Sequence, residues 1–246
     1  MNGTKMVVFA PDFNQVAKYA DEWISINAGQ DGAWWMAVNH VILQEFHHEQ
    51  KNEFFFDYLK QFSDSAFLVE LEDHGGKWKA GQLVRAGTTA EYADEENGEW
   101  KFLHWDANDD RPKMPMGSMG HRWGEEQGKW NLKLEDGKDG SAIDPELTFL
   151  ERNDGVAQCQ FDDFGKGEEL LRGVPYRTVQ TANGPVKAAT IYDVLMAQYG
   201  VGRGLEGAYP SSYDDELVYT PAWAERYTGI SRDTLMRFAR EWASTA

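Results

Sequence analysis

The stretch from Lys5 to Trp35 constrains the chain more than any other. A short apolar run, Met6 to Ala10, is stopped by Pro11, which lacks an amide donor. A second strand-like piece, Trp23 to Ile26, leads into the turn Gly29-Gln30-Asp31-Gly32. Short apolar runs bounded by turn residues read as buried strands. Asp12 and Asp31 therefore each sit just past a strand. In open α/β sheets, ligands gather outside the carboxyl ends of the strands. A carboxylate there can accept two ribose hydroxyls, or the N1–H and N2–H of a guanine, as only an anion can. The plainer reading of each is an aspartate capping a turn, with Asp31 as the N-cap of the following helix.

Downstream, the spacing predicts helical turns over 14–20 and a long helix over about 32–49. A second helix, over 52–62, puts Phe55, Tyr58, Leu59 and Phe62 on one face. After Ser63 the pattern changes. Residues 66–72 alternate like a strand and return through His74-Gly75-Gly76, a hairpin signature. Residues 87–170 are polar and glycine-rich, with strand-like islands at 100–105, 146–150 and 156–161. So long a polar stretch reads as decoration on a fold. Tyr176 to Ala189 reads as a hairpin turning at Asn183-Gly184. Helices return over 190–199, ending at Gly200. They continue from Thr220-Pro221 to Tyr227 and then from Ser231, with Leu235, Phe238, Ala239 and Trp242 on one face. The expectation is an α/β fold in three parts: an α/β segment over 1–63, a β- and loop-rich insertion over 64–188, and a helical return over 189–246. The abrupt start, and a terminal helix with no following strand, read as a piece of a longer polypeptide.

The formal net charge of −17 argues against sequence-independent nucleic-acid binding and against adhesion to anionic membrane. One cysteine, Cys159, allows neither an internal disulfide nor a cysteine-built zinc or iron–sulfur site. No apolar run approaches the roughly 20 residues that span a bilayer, and no signal or transit peptide is recognisable.

Three further groupings could carry chemistry. His40, His47 and His48 share one predicted helix with Glu45 and Glu49 at i, i+3 and i, i+4 spacings. One helix supplies only half a metal site, so a solvated helix end is the plainer reading. Gly117 to Gly124 is glycine-rich around His121-Arg122 but lacks the lysine of a phosphate loop. It reads as a structured loop anchored by Trp123 and Trp130, or as a wall of a substrate funnel. Ser211 to Asp215 is a polar turn in which Asp214 and Asp215 cap or solvate a helix start; no nucleophile elbow accompanies it.

Taken in order, several segments resemble one family. They are Lys5-Met-Val-Val-Phe-Ala-Pro-Asp-Phe13, Ala17-Lys-Tyr-Ala-Asp-Glu-Trp-Ile24, Gly29-Gln-Asp-Gly-Ala33, Gly120-His-Arg-Trp-Gly-Glu125, Ile191-Tyr-Asp-Val-Leu-Met-Ala-Gln-Tyr-Gly200 and Tyr219-Thr-Pro-Ala-Trp-Ala-Glu225. They resemble the molybdopterin oxidoreductases of the dimethyl sulfoxide reductase family, in the branch of respiratory nitrate reductase alpha subunits and their nitrite-oxidising relatives. The resemblance implies a fragment of the molybdopterin-cofactor domain from a much longer subunit. That subunit would carry bis-molybdopterin guanine dinucleotide with molybdenum, and a [4Fe–4S] cluster bound outside this fragment. It implies an iron–sulfur beta subunit, a membrane cytochrome b gamma subunit, and membrane association through them at the cytoplasmic face. It implies oxygen-atom transfer between nitrate and nitrite, in a direction the motifs do not distinguish. The family's strand-end aspartate matches Asp12, and its guanine-binding Gly-Thr-Asp-x-Ala turn matches Gly29 to Ala33, with Gln30 where the family carries threonine. No catalytic or metal-ligating residue carries over, and the isolated chain is expected to be inactive. An alternative of another class is a non-catalytic acidic interaction module binding through Trp100, Trp105, Trp123 and Trp130.

Overall fold

The computed structural model describes residues 3–116, 132–164 and 169–245. In chain order the strands are β1 (Val7–Phe9), β2 (Glu22–Ile24), β3 (Leu68–Asp73), β4 (Trp78–Leu83), β5 (His104–Asp106), β6 (Arg111–Lys113), β7 (Pro115–Met116), β8 (Lys133–Asp136), β9 (Gly155–Asp162), β10 (Glu169–Thr181) and β11 (Gly184–Thr190). The α-helices are α1 (Asp31–Ile42), α2 (Glu53–Phe62), α3 (Ile191–Gln198), α4 (Pro221–Thr228) and α5 (Arg232–Ser244). The chain is a mixed α/β protein, and it divides into two compact units.

The first unit comprises Met1–Lys51, Tyr199–Arg203 and Ala208–Ala246. Strands β1 and β2 pair in parallel, Phe9 opposite Ile24. Helices α4 and α5 pack on α1. Their ends follow the sequence signals. The Thr220 side chain accepts from the Trp223 amide, with Pro221 opening α4, and Gly229 ends it at φ 73°. The Ser231 side chain accepts from the Thr234 amide. Trp242 leaves the expected inner face of α5. It is half exposed and stacks on Phe238 at 5.9 Å, while Ala243 takes the buried position. The helix expected over 32–49 is α1 continued by a π-helical stretch, Leu43–Glu49.

The second unit comprises Asn52–Gln198 and Gly204–Gly207. Its centre is a closed barrel in the order β10-β11-β3-β4-β9. Five strands cannot all alternate in direction around a ring. Accordingly four contacts are antiparallel and one, β4 to β9 through Trp78 and Cys159, is parallel. Leu68, Leu103, Trp105, Met114, Phe149, Val179 and Ala188 form a continuous buried core, so the stretch expected to be decoration shares a core with strands β3, β10 and β11. The island at 146–150 forms no strand, and that at 100–105 contributes only His104–Asp106. The β10–β11 hairpin turns one residue earlier than expected. Thr181 pairs with Gly184, leaving Ala182 and Asn183 in the loop and Gly184 at φ 111°. On α2 the expected inner face is also shifted. Phe54, Tyr58 and Phe62 are exposed, while Phe55, Phe56 and Leu59 are half-buried. Trp105 is a core residue and Trp100 an exposed one, so the proposed tryptophan cluster does not form from this pair; Trp123 and Trp130 lie outside the described residues, as does the Gly117–Gly124 loop.

Two buried cations in this unit have partners close by. Arg172, fully buried, donates through Nη1 to the carbonyls of Ala197 (2.8 Å) and Gln198 (2.9 Å), the negative end of α3. Lys113 lies 2.8 Å from buried Asp106 and 2.7 Å from Asp109. Such pairs offset the desolvation of their charges only when their hydrogen bonds are complete.

His104 differs. Its ring packs on Phe67, centroids 4.7 Å apart, and neither nitrogen has a partner among the described residues. Burial pushes its pKa down from the ordinary 6.5 to about 3. The unfolded chain then takes a proton that the folded chain refuses. The stability due to the neutral ring is complete above pH 6.5 and falls as the pH drops from 6.5 towards 3, by about 1.4 kcal/mol per pH unit. Urea unfolding of the barrel between pH 7 and 4 is expected to show this slope, and His104→Phe is expected to flatten it. An unchanged pH profile in the variant would contradict the assignment.

Candidate functional site at the strand ends

The site is built on the first unit. In a strand, successive side chains alternate between faces. Phe9 and its partner Ile24 turn inward, whereas Val8 and Trp23 turn outward. Phe9 meets Trp34 of α1 at 4.7 Å and Phe238 of α5 at 5.0 Å, edge-on. Trp34 and Phe238 are 5.4 Å apart. Trp34 is 1% exposed. This triangle locks both the end of β1 and the start of α1.

The chain leaves β1 through Pro11 and Asp12. The Asn14 amide donates to the Asp12 carbonyl at 3.0 Å. The Asn14 side chain accepts from the amides of Val16 and Ala17, starting the short 3₁₀ turn Ala17–Tyr19. Ser25 Oγ donates to the Pro11 carbonyl at 3.4 Å, tying together the two strand ends. Beyond β2, the Asn27 amide donates to the Thr228 carbonyl (2.8 Å) and its side-chain amide to the Tyr227 carbonyl (2.9 Å). The segment that reaches Asp31 is thus held by the end of α4.

Gly29 has φ 77°, where an L side chain would be strained, and nothing lies within 4 Å of where a Cβ would stand; Gly32 is equally open. Asp31 is the first residue of α1. It is not the N-cap, which is Gln30, and no side chain caps this helix. The first amides of α1 therefore retain donor capacity, and the helix dipole favours negative charge there.

Asp12 and Asp31 thus follow the carboxyl ends of two adjacent parallel strands. Both are exposed, and neither carboxylate takes part in a hydrogen bond or ion pair among the described residues. Each carboxylate is therefore free to accept from an N–H or hydroxyl donor. Open space beside Gly29 and Gly32 allows the backbone to be approached closely.

The histidine set is not a solvated helix end. His40 and His47 are buried. His40 Nδ1 lies 2.6 Å from the Tyr199 carbonyl, which assigns its proton to that nitrogen, and its ring meets Tyr213 edge-on. Burial lowers the His47 pKa to about 4. Glu45 accepts from Arg240 and from the Tyr213 hydroxyl, and Arg240 holds its carboxyl below the usual range. No three His, Cys, Asp or Glu side chains among the described residues converge as a metal site. Asp215 does not cap α4 either. It accepts from the amide and hydroxyl of Ser211, within its own turn, while Asp214 pairs with Arg232.

A parallel strand pair packed against helices places the first unit in the α/β class. The family model for molybdopterin oxidoreductases matches residues 1–192, and the chain belongs to that family. It is 39% identical over 258 residues to the respiratory nitrate reductase 1 alpha chain of Escherichia coli (strain K12), and 37% identical over 246 residues to the nitrate reductase alpha chain of Bacillus subtilis (strain 168). Each match covers 99% of this chain and 20% of the relative. The perchlorate reductase subunit alpha of Dechloromonas aromatica (strain RCB) matches at 24% identity over 245 residues. The chain spans about a fifth of the length of these curated relatives.

The aromatic triangle carries a direct expectation. Phe238→Ala removes a buried ring from it and should cost the first unit about 3–5 kcal/mol. Urea unfolding followed by tryptophan fluorescence measures this. A loss below about 1 kcal/mol would show that the triangle does not hold the strand ends.

Proposed function

We propose that this chain is a segment of the alpha subunit of a molybdenum nitrate reductase, and that Asp12, Gly29 and Asp31 grip a guanosine end of its molybdopterin guanine dinucleotide. The observation that carries the reading is the pair of unengaged, exposed carboxylates that follow two adjacent parallel strands, Asp12 in the turn after β1 and Asp31 at the start of the helix that follows β2. Family membership implies a molybdenum–molybdopterin cofactor. In this reading Asp31 accepts from guanine N1–H and N2–H, Asp12 accepts from ribose hydroxyls, and the open backbone at Gly29 lets the base approach. Residues 1–63 and 189–246 serve the cofactor domain, and 64–188 form the insertion.

When bound in the whole subunit, the cofactor supplies the oxygen-atom transfer that converts nitrate, two protons and two electrons to nitrite and water. The residues here bind and orient its distant end. Work at that distance still matters, because catalysis depends on where the cofactor's reactive atom is held. The whole subunit would carry its [4Fe–4S] cluster outside this segment. It would associate with an iron–sulfur beta subunit and a membrane cytochrome b gamma subunit, and so reach the cytoplasmic face of the membrane. No helix among the described residues is long and apolar enough to cross a membrane. Family membership favours this reading over that of an acidic interaction module.

Two outcomes are expected. By titration calorimetry the chain should bind GMP in preference to AMP, whose base presents a different donor edge. Asp31→Asn should weaken GMP about 10- to 100-fold, the worth of hydrogen bonds to a charged acceptor. Equal binding of GMP and AMP, or an Asp31→Asn variant that binds GMP like the parent, would refute the guanosine assignment. Separately, the purified chain should not oxidise reduced viologen with nitrate; turnover would show that the chemistry needs no more of the subunit than this.

A further inference from the structure

Five of the large apolar side chains in the first unit that face solvent fall within residues 6–23: Met6 (40% exposed), Phe13 (62%), Val16 (53%), Tyr19 (72%) and Trp23 (37%). Phe13 and Trp23 meet edge-on at 5.4 Å. Trp23 is anchored by its indole N–H, which donates to the Ala10 carbonyl at 3.2 Å. Trp23 belongs to the face of β1–β2 opposite Phe9, the residue packed on α1 and α5. One face of the strand pair is therefore buried, and the other carries an aromatic ridge.

Parallel sheets are covered on both faces, because the crossovers between their strands place helices there. Here the connection from β1 to β2 holds a single 3₁₀ turn, Ala17–Tyr19, in place of a covering helix. No third strand pairs with β1 or β2 among the described residues. A two-stranded pair with one open apolar face is marginal by itself. Rings of this size contribute most when desolvated, so a cluster of them on the surface marks a contact. The occupant follows from length. The relatives align with 99% of this chain yet are about five times longer, so four fifths of such an alpha polypeptide lies outside the aligned part.

We infer that the outward face of β1–β2, marked by the Phe13–Trp23 pair, with Val16 and Tyr19 exposed in the same β1–β2 connection, seats an apolar helix supplied by the alpha polypeptide beyond the aligned fifth. The inference rests on the reading of this chain as an alpha-subunit segment, and not on which nucleotide the strand ends hold. Covering this face would also stiffen the turn that carries Asp12, one residue before Phe13.

Hydroxyl-radical footprinting tests it, comparing the 246-residue chain with the full alpha subunit that contains it. Oxidation at Phe13, Tyr19 and Trp23 should fall at least five-fold in the full subunit. As a second measurement, Phe13→Glu with Tyr19→Glu should leave the unfolding midpoint of the 246-residue chain unchanged, since both rings are exposed there. In the full subunit the same pair should cut the yield of protease-resistant protein several-fold. Equal oxidation in the two samples would overturn the inference. So would protection that grows with concentration in the 246-residue chain alone, which would make a second copy the occupant. GMP titration of the double variant separates this result from the nucleotide assignment: retained binding with lost assembly supports both, and retained binding with retained assembly overturns the surface alone.

Discussion

The contact on which the first unit depends is the meeting of Phe9, Trp34 and Phe238. Three elements far apart in sequence come together in three rings at 4.7 to 5.4 Å. Phe9 is the last residue of β1 and lies three residues before Asp12. Trp34 lies one helical turn after Asp31. Burying these rings therefore does more than contribute apolar free energy. It fixes, from the inside, the two points at which the chain emerges with a carboxylate. Short spacers at both places, one with a proline and one entering a helix directly, leave little slack between ring and acid.

The second unit solves a different problem. A closed five-stranded ring must contain one parallel contact, and here it is the brief one between Trp78 and Cys159. The weak point of the ring is thereby kept short, while β10 spans thirteen residues and pairs on both sides. Arg172, the fourth residue of β10, reaches the carbonyl end of α3 and ties helix to barrel through two charge-assisted bonds.

Much of the first unit could be read from the sequence, because its signals are local. Pro11, Thr220-Pro221, Gly229 and Ser231 act through the backbone geometry of their own turns, and each stands where expected. The barrel could not be read so. Its closure depends on pairing β11 with β3 across more than a hundred residues, and no local pattern announces that register. The hairpin at Asn183 slipped by one residue because Gly184 supplies its positive φ as a strand residue and not within the loop. Asp31 was expected to cap α1 and is instead its first residue, a shift that leaves its carboxylate outward and unengaged. His40 and His47 looked like a polar helix end. Both are buried, and His40 is held by Tyr199 and Tyr213, residues distant in sequence that a helical wheel does not include. The candidate acids were found through strand-end position together with a family resemblance. The aromatic triangle that holds them had only a faint signal, the amphipathic pattern of α5.

The proposed guanosine grip at the segments that follow β1 and β2 is tested most directly by a two-dimensional amide spectrum of the isotope-labelled chain during titration with GMP. Shifts concentrated at Asp12, Phe13 and the Gly29 to Ala33 turn are expected, with the barrel amides unmoved. Shifts centred elsewhere, or none at these residues at saturating GMP, would contradict it.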